Sequence, residues 1–106
     1  MTDILQRLDA VIVERKTAAD PTSSHTARLL AKGPSKCAEK FGEEAVEAIV
    51  AAAERDRDAL ISESADVLFH LLVMLAAQDI ALNDVLAELE RREGVSGVEE
   101  KANRTD

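Results

Sequence analysis

The segment 60–75 constrains this chain more than any other. Leu60, Ile61, Val67, Leu68, Phe69, Leu71, Leu72, Val73, Met74 and Leu75 leave a helix there almost no polar face. A helix apolar nearly all round belongs at the centre of a bundle, so a third main helix, expected at about 59–79, is read as central and buried. Glu63, Asp66 and His70 interrupt it. Ionisable groups among apolar neighbours are costly unless they are paired or hold a metal, which makes these three the informative positions.

The helix before it supplies partners. Pro34 and Ser35 start a segment that runs to about Arg55, with Val46, Ile49, Val50 and Ala53 as its apolar stripe. Lys36, Lys40, Glu43, Glu44 and Glu47 occupy the adjoining arc, so these acids border the core. Folded against each other, the two helices can bring Glu43, Glu44 and Glu47 towards Glu63 and Asp66.

The flanking segments are simpler. Thr2 is a candidate cap for a first helix carrying Ile4, Leu5, Leu8, Val11 and Ile12, which Asp20 and Pro21 stop. Ser24 caps a short helix with Leu29 and Leu30 that ends at Gly33. Asp56 or Asp58 caps the third main helix, and Asn83 a fourth with Val85, Leu86 and Leu89 that Gly94 ends. From Val95 the chain is polar, and composition alone reads it as disordered. The expected organisation is one all-α domain over 1–94 with 95–106 as its tail. Its four-helix-type core, three longer helices and one shorter, is completed by homodimerisation, because one small chain does not cover the third helix on every side.

Bulk properties exclude several functions. With 106 residues there is room for one core, and two Phe with no Trp or Tyr leave aliphatic side chains to fill it. A formal charge of -8 argues against a nucleic-acid partner, since the phosphate backbone rewards a basic surface. The apolar run 67–77 falls short of the roughly 20 residues that span a bilayer, and the first residues lack a signal-peptide pattern, so no membrane partner and a cytoplasmic location are expected. Cys37 is the single cysteine; it is read as a small helix residue, with neither a disulfide nor a thiolate zinc site in prospect.

The acids point to a hard cation. Two carboxylates ~5.5 Å apart repel by roughly 3 kcal/mol at an effective dielectric of ~20, so several converging ones oppose folding without a counter-charge. Carboxylates without thiolates suit Mg²⁺, with Mn²⁺ possible, and Mg²⁺ commonly shares its coordination with substrate phosphates. The competing reading makes Glu43, Glu44 and Glu47 a solvated face balanced by Lys36 and Lys40, and has Glu63 and Asp66 answer the helix dipole. His70 is expected to be a satisfied core histidine or a partner of Asp66 one turn away, rather than a ligand. Lys32, Lys36 and Lys40 recur every four residues, either as a basic stripe paired with Glu or as phosphate contacts. The turn at 94–97 could present backbone N–H groups to an anion, with Lys101 and Arg104 assisting.

Five blocks carry a family resemblance: HTARLL at 25–30, KFGEEAVE at 40–47, ESADVLFHLL at 63–72, REGVSG at 92–97 and EKANR at 100–104. Together they resemble phosphoribosyl-ATP pyrophosphohydrolase of histidine biosynthesis. The acidic pair of motifs alone is similar to the wider MazG-type all-α nucleotide pyrophosphohydrolases. The resemblance implies Mg²⁺-dependent cleavage of the α/β phosphoanhydride of phosphoribosyl-ATP to phosphoribosyl-AMP and pyrophosphate. It implies metal ligation by Glu44, Glu47, Glu63 and Asp66, with Glu43 a further acid at the site. On that mechanism Glu43 or Glu44 is the general base, Lys36 and Lys40 contact phosphates, and Lys101 and Arg104 stand behind them. His25 departs from the family, which often has Tyr there. A separate phosphoribosyl-AMP cyclohydrolase is the expected pathway partner. The competing functions are a MazG-type enzyme acting on other nucleoside triphosphates and a metal-free helical interaction module. A ferritin-like di-iron site is weaker, because it requires paired Glu-x-x-His motifs.

Overall fold

A computed structural model describes residues 3–22 and 24–94, and among them every regular element is an α-helix. They are α1 (Asp3–Ala18), α2 (His25–Ala31), α3 (Pro34–Ala53), α4 (Arg57–Ala77) and α5 (Leu82–Glu93). Among the described residues there are thus three long helices and two shorter ones, at the five segments read as helical in the sequence and one short helix more than the expected core of three longer and one shorter. The expected cap at Thr2 and the turn at 94–97 beyond Gly94 lie outside the described residues.

The helix ends follow local chemistry. Ser24 accepts a hydrogen bond from the Ala27 N–H and Asp56 one from the Ala59 N–H, as expected of caps. The Asp56 cap starts α4 at Arg57, two residues earlier than expected, so Glu63 lies well beyond the first turn. At α5 the expected cap is corrected: Asn83 lies inside the helix, and Asp84 accepts from the Ala81 N–H instead. Asp9 of α1 also accepts from the Leu82 N–H at 3.4 Å. Gly33 separates α2 from α3 at φ 97°, a conformation that favours glycine. Arg55 and Asp79 close α3 and α4 at φ 58° and 59° without a glycine. In both turns the next N–H reaches back to the third-last residue of the helix: Asp56 to the Ala51 carbonyl and Ile80 to the Leu75 carbonyl. Lys16 adds a tertiary cap to α4, donating to the Ala76 carbonyl and to Asp79, both at 2.6 Å.

The turn at 54–56 folds α4 back along α3, and these two helices make the most extensive contact among the described residues. The core gathers at one end of that pair. Ile12, Leu29, Cys37, Leu72, Val73, Ala76 and Leu82 are buried there, with Leu5, Leu8, Leu30, Phe69 and Leu86 packed around them. Cys37 is fully buried and its thiol meets the Leu29 carbonyl, which agrees with a small helix residue.

α4 is central, but its burial is confined to the C-terminal half. Among the described residues only α1, α2 and α5 are available to cover the α3/α4 pair, and they cluster at that end. The other end leaves Val46 58 %, Ile49 65 % and Ile61 58 % exposed, with Val50 and Leu68 also open. The expected apolar stripe of α3 therefore exists but faces outward. By length and composition the whole of α4 could cross a membrane, which the shorter run 67–77 did not suggest. Its acids and His70 tie it instead to the site below.

Candidate metal centre

Residues 63, 66 and 70 are spaced three and four apart, so they share one face of α4. Glu44 comes to that face from α3. Glu44, Glu63 and Asp66 each offer an oxygen, and these oxygens lie within 4.8 Å of one another. Opposite ligands around an octahedral Mg²⁺ with bonds of about 2.1 Å stand ~4.2 Å apart, so small side-chain rotations fit the cluster to such an ion. All the donors are hard oxygens, as that chemistry requires.

Glu44 is the hub. Its side chain is only 12 % exposed, and its Oε1 lies 3.4 Å from Lys40 Nζ and 3.9 Å from His70 Nε2. Glu47, one turn along α3, is exposed and within hydrogen-bonding reach of Glu44. The hydrogen-bonding contact with Glu47 holds Glu44 below the usual carboxylate range, helped by Lys40, against the opposing effect of burial. The same contact raises Glu47, and the charges of Glu44 and Glu63 raise it further. Two adjacent acids thus resist simultaneous ionisation, with Lys40 as the near cation.

Glu43 stands apart from the three-oxygen cluster. It is exposed and reaches Lys40 at 3.9 Å. Lys36 pairs with Glu39 at 3.3 Å on the surface. Lys32, Lys36 and Lys40, with Leu29, Glu39 and Glu43, line a pocket of about 460 Å³. The lysine stripe therefore both pairs with glutamates and borders a cavity beside the acids. Lys101 and Arg104 lie outside the described residues.

His70 differs from expectation. It is buried, but not satisfied: Nδ1 is inaccessible and has no hydrogen-bond partner among the described residues. Its charged neighbour across the helix pair is Glu44 rather than Asp66 alone. Burial lowers its pKa, while the charges of Glu44 and Asp66 oppose that shift. Sequence spacing points only along α4, so the contact with α3 was not visible in it.

An all-α bundle with an oxygen-only acidic cluster beside a lysine-lined cavity defines a class of helical proteins suited to a hard cation and a phosphate-rich ligand. Comparison narrows it. The family model described as phosphoribosyl-ATP pyrophosphohydrolase matches residues 5–93. A protein of Dinoroseobacter shibae named phosphoribosyl-ATP pyrophosphatase is 70 % identical over 101 residues, covering 95 % of this chain and 98 % of that protein. Proteins of the same name from Roseobacter denitrificans (68 % identical, 94 % of each chain) and Ruegeria pomeroyi (66 % identical, 95 % of each chain) are similar to it over the same extent. This chain belongs to the phosphoribosyl-ATP pyrophosphohydrolase family, hydrolases of histidine biosynthesis.

Proposed function

We propose that this chain cleaves the α/β phosphoanhydride of phosphoribosyl-ATP, giving phosphoribosyl-AMP and pyrophosphate, with Mg²⁺ or Mn²⁺ held by Glu44, Glu47, Glu63 and Asp66. The observation that carries the reading is the convergence of Glu44, Glu63 and Asp66 oxygens from two helices to within 4.8 Å. Bound there, the cation would neutralise phosphate charge and acidify a water.

The chain's own groups supply the rest. Lys36 and Lys40 line the neighbouring cavity and orient phosphate oxygens as point charges, with Lys101 and Arg104 as further contacts. Of the two candidate bases, Glu43 is the better placed. It borders that cavity, whereas Glu44 is engaged by Glu47 and the acidic cluster. Glu43 therefore takes the proton of the attacking water, and no covalent nucleophile is needed.

A second copy covers the open end of α3 and α4. Val46, Ile49, Val50, Ile61 and Leu68 form an apolar surface next to the acids, of the kind a helical dimer buries. Ile49→Glu should convert the dimer to monomer in sedimentation velocity, and a wild-type monomer at working concentration would remove this part of the reading. The chain works in the cytoplasm with a separate phosphoribosyl-AMP cyclohydrolase consuming its product.

The test is pyrophosphate release from phosphoribosyl-ATP and from a panel of nucleoside triphosphates, with Mg²⁺ and then with chelator. Chelator-sensitive release from phosphoribosyl-ATP alone is expected. Turnover of ordinary triphosphates in its place would overturn the substrate assignment.

A further inference from the structure

His70 is 6 % exposed, and its ring makes a T-shaped contact with Phe69, the centroids 5.0 Å apart. Nδ1 is sealed from solvent, without a partner among the described residues. A buried N–H left unpaired costs more than an unused acceptor lone pair, so the proton belongs on Nε2. Nε2 lies 3.9 Å from Glu44 Oε1, the oxygen that Lys40 approaches at 3.4 Å. With that gap closed, Oε1 would be held by both side chains, and the second oxygen of Glu44 would be left to turn towards Glu63 and Asp66.

We propose that His70 is a positioning residue for Glu44: its Nε2–H holds Oε1, so that the other carboxylate oxygen is presented to the cation. This rests on the metal reading above and deepens it. A core histidine with only a packing role would have its nitrogens answered inside the core, and among the described residues none answers Nδ1. Closing 3.9 Å to a hydrogen bond of about 2.9 Å requires a movement of ~1 Å, within reach of a glutamate rotamer once a cation draws the acids together. Outer partners of this kind orient ligands, and their loss typically weakens metal binding by about 10–100-fold.

The experiment compares His70→Gln, which keeps a donor near the Nε2 position, with His70→Asn, whose donor reaches only the Nδ1 position. Mn²⁺ binding to the substrate-free protein is measured by calorimetry beside thermal unfolding. Near-normal Mn²⁺ affinity in His70→Gln and a loss of about 10–100-fold in His70→Asn, with similar melting temperatures, is expected. Equal weakening in both, or none in either, would overturn the role of His70. Wild-type protein that binds no Mn²⁺ would instead sink the metal reading itself. If the asparagine variant does not fold, the ring tautomer of the wild-type protein decides: nitrogen NMR showing the proton on Nδ1 would overturn the proposal, and on Nε2 would support it.

Discussion

Glu88 on α5 and the Glu44/Glu47 pair on α3 are both carboxylates on helices, and they sit in opposite circumstances. Glu88 receives Arg91 at 2.7 Å and Arg92 at 3.0 Å, which hold its pKa down at about 2. Its own helix neutralises it three and four residues away. Glu44 and Glu47 face each other and the acids of α4, with Lys40 as their near cation. An acid answered within its own helix is decoration of a solvated face. Acids in excess of their counter-charge, gathered by two helices, fit a cation that the chain does not supply.

The sharpest way to break this contrast is to remove single acids. Glu44→Gln or Asp66→Asn should reduce Mg²⁺-supported pyrophosphate release by about 100-fold or more, equivalent to roughly 2.7 kcal/mol or more in the transition state. Full turnover in either variant would return the α3/α4 acids to the same standing as Glu88.

A smaller effect should appear in stability. At about 100 times its dissociation constant, Mg²⁺ should stabilise the folded chain by about 2.7 kcal/mol, read as a chelator-reversible rise in melting temperature. Glu88→Gln should keep that rise and Asp66→Asn should lose most of it.

The pH response separates the two regions by sign. Glu47 has a raised folded pKa, so its ionised form costs the metal-free fold stability at neutral pH, and the cost fades as pH falls through that pKa towards the unfolded value. In chelator, Glu47→Gln should therefore melt slightly higher than wild type at neutral pH, with the gain lost near pH 4. Added Mg²⁺ should reverse the order. A Glu47→Gln variant that melts lower in chelator would contradict the repulsion.

Glu88 behaves the other way and gives the smallest effect. Its folded pKa is depressed, so its contribution is fully present above the ordinary value of 4.5 and disappears as pH falls from there through about 2. Because the pair is open to solvent, Glu88→Gln should lower the melting temperature only slightly at neutral pH, and less at high salt.

Much of this arrangement was legible in the sequence. The 3.6-residue period places Glu63, Asp66 and His70 on one face of α4, whatever the helix packs against. Asp56 and Ser24 act as caps because a short side-chain oxygen before a helix reaches the third N–H locally. Where neighbours offered equal chemistry, the sequence was not decisive: Asp84 rather than Asn83 closes the start of α5. Arg55 and Asp79 end long helices in a conformation that sequence patterns assign to glycine, held there by the turn's backbone hydrogen bonds.

Which acid of α3 meets those of α4 is a different kind of question. One residue along a helix rotates a side chain by about 100° and moves it about 1.5 Å, so Glu43 and Glu44 differ by a quarter-turn that only the packing of the two helices can resolve. That packing brings Glu44 to the cluster and turns Glu43 to the lysine-lined cavity. It also sets His70 against Glu44, and leaves Ile49 and Ile61 open where an apolar stripe alone implied burial. Sequence by itself determined the helices, their faces and the charge each face carries, because these are local and periodic. The convergence of charges and the covering of apolar faces depend on the relative rotation and register of separate helices, and the tertiary structure alone decided them.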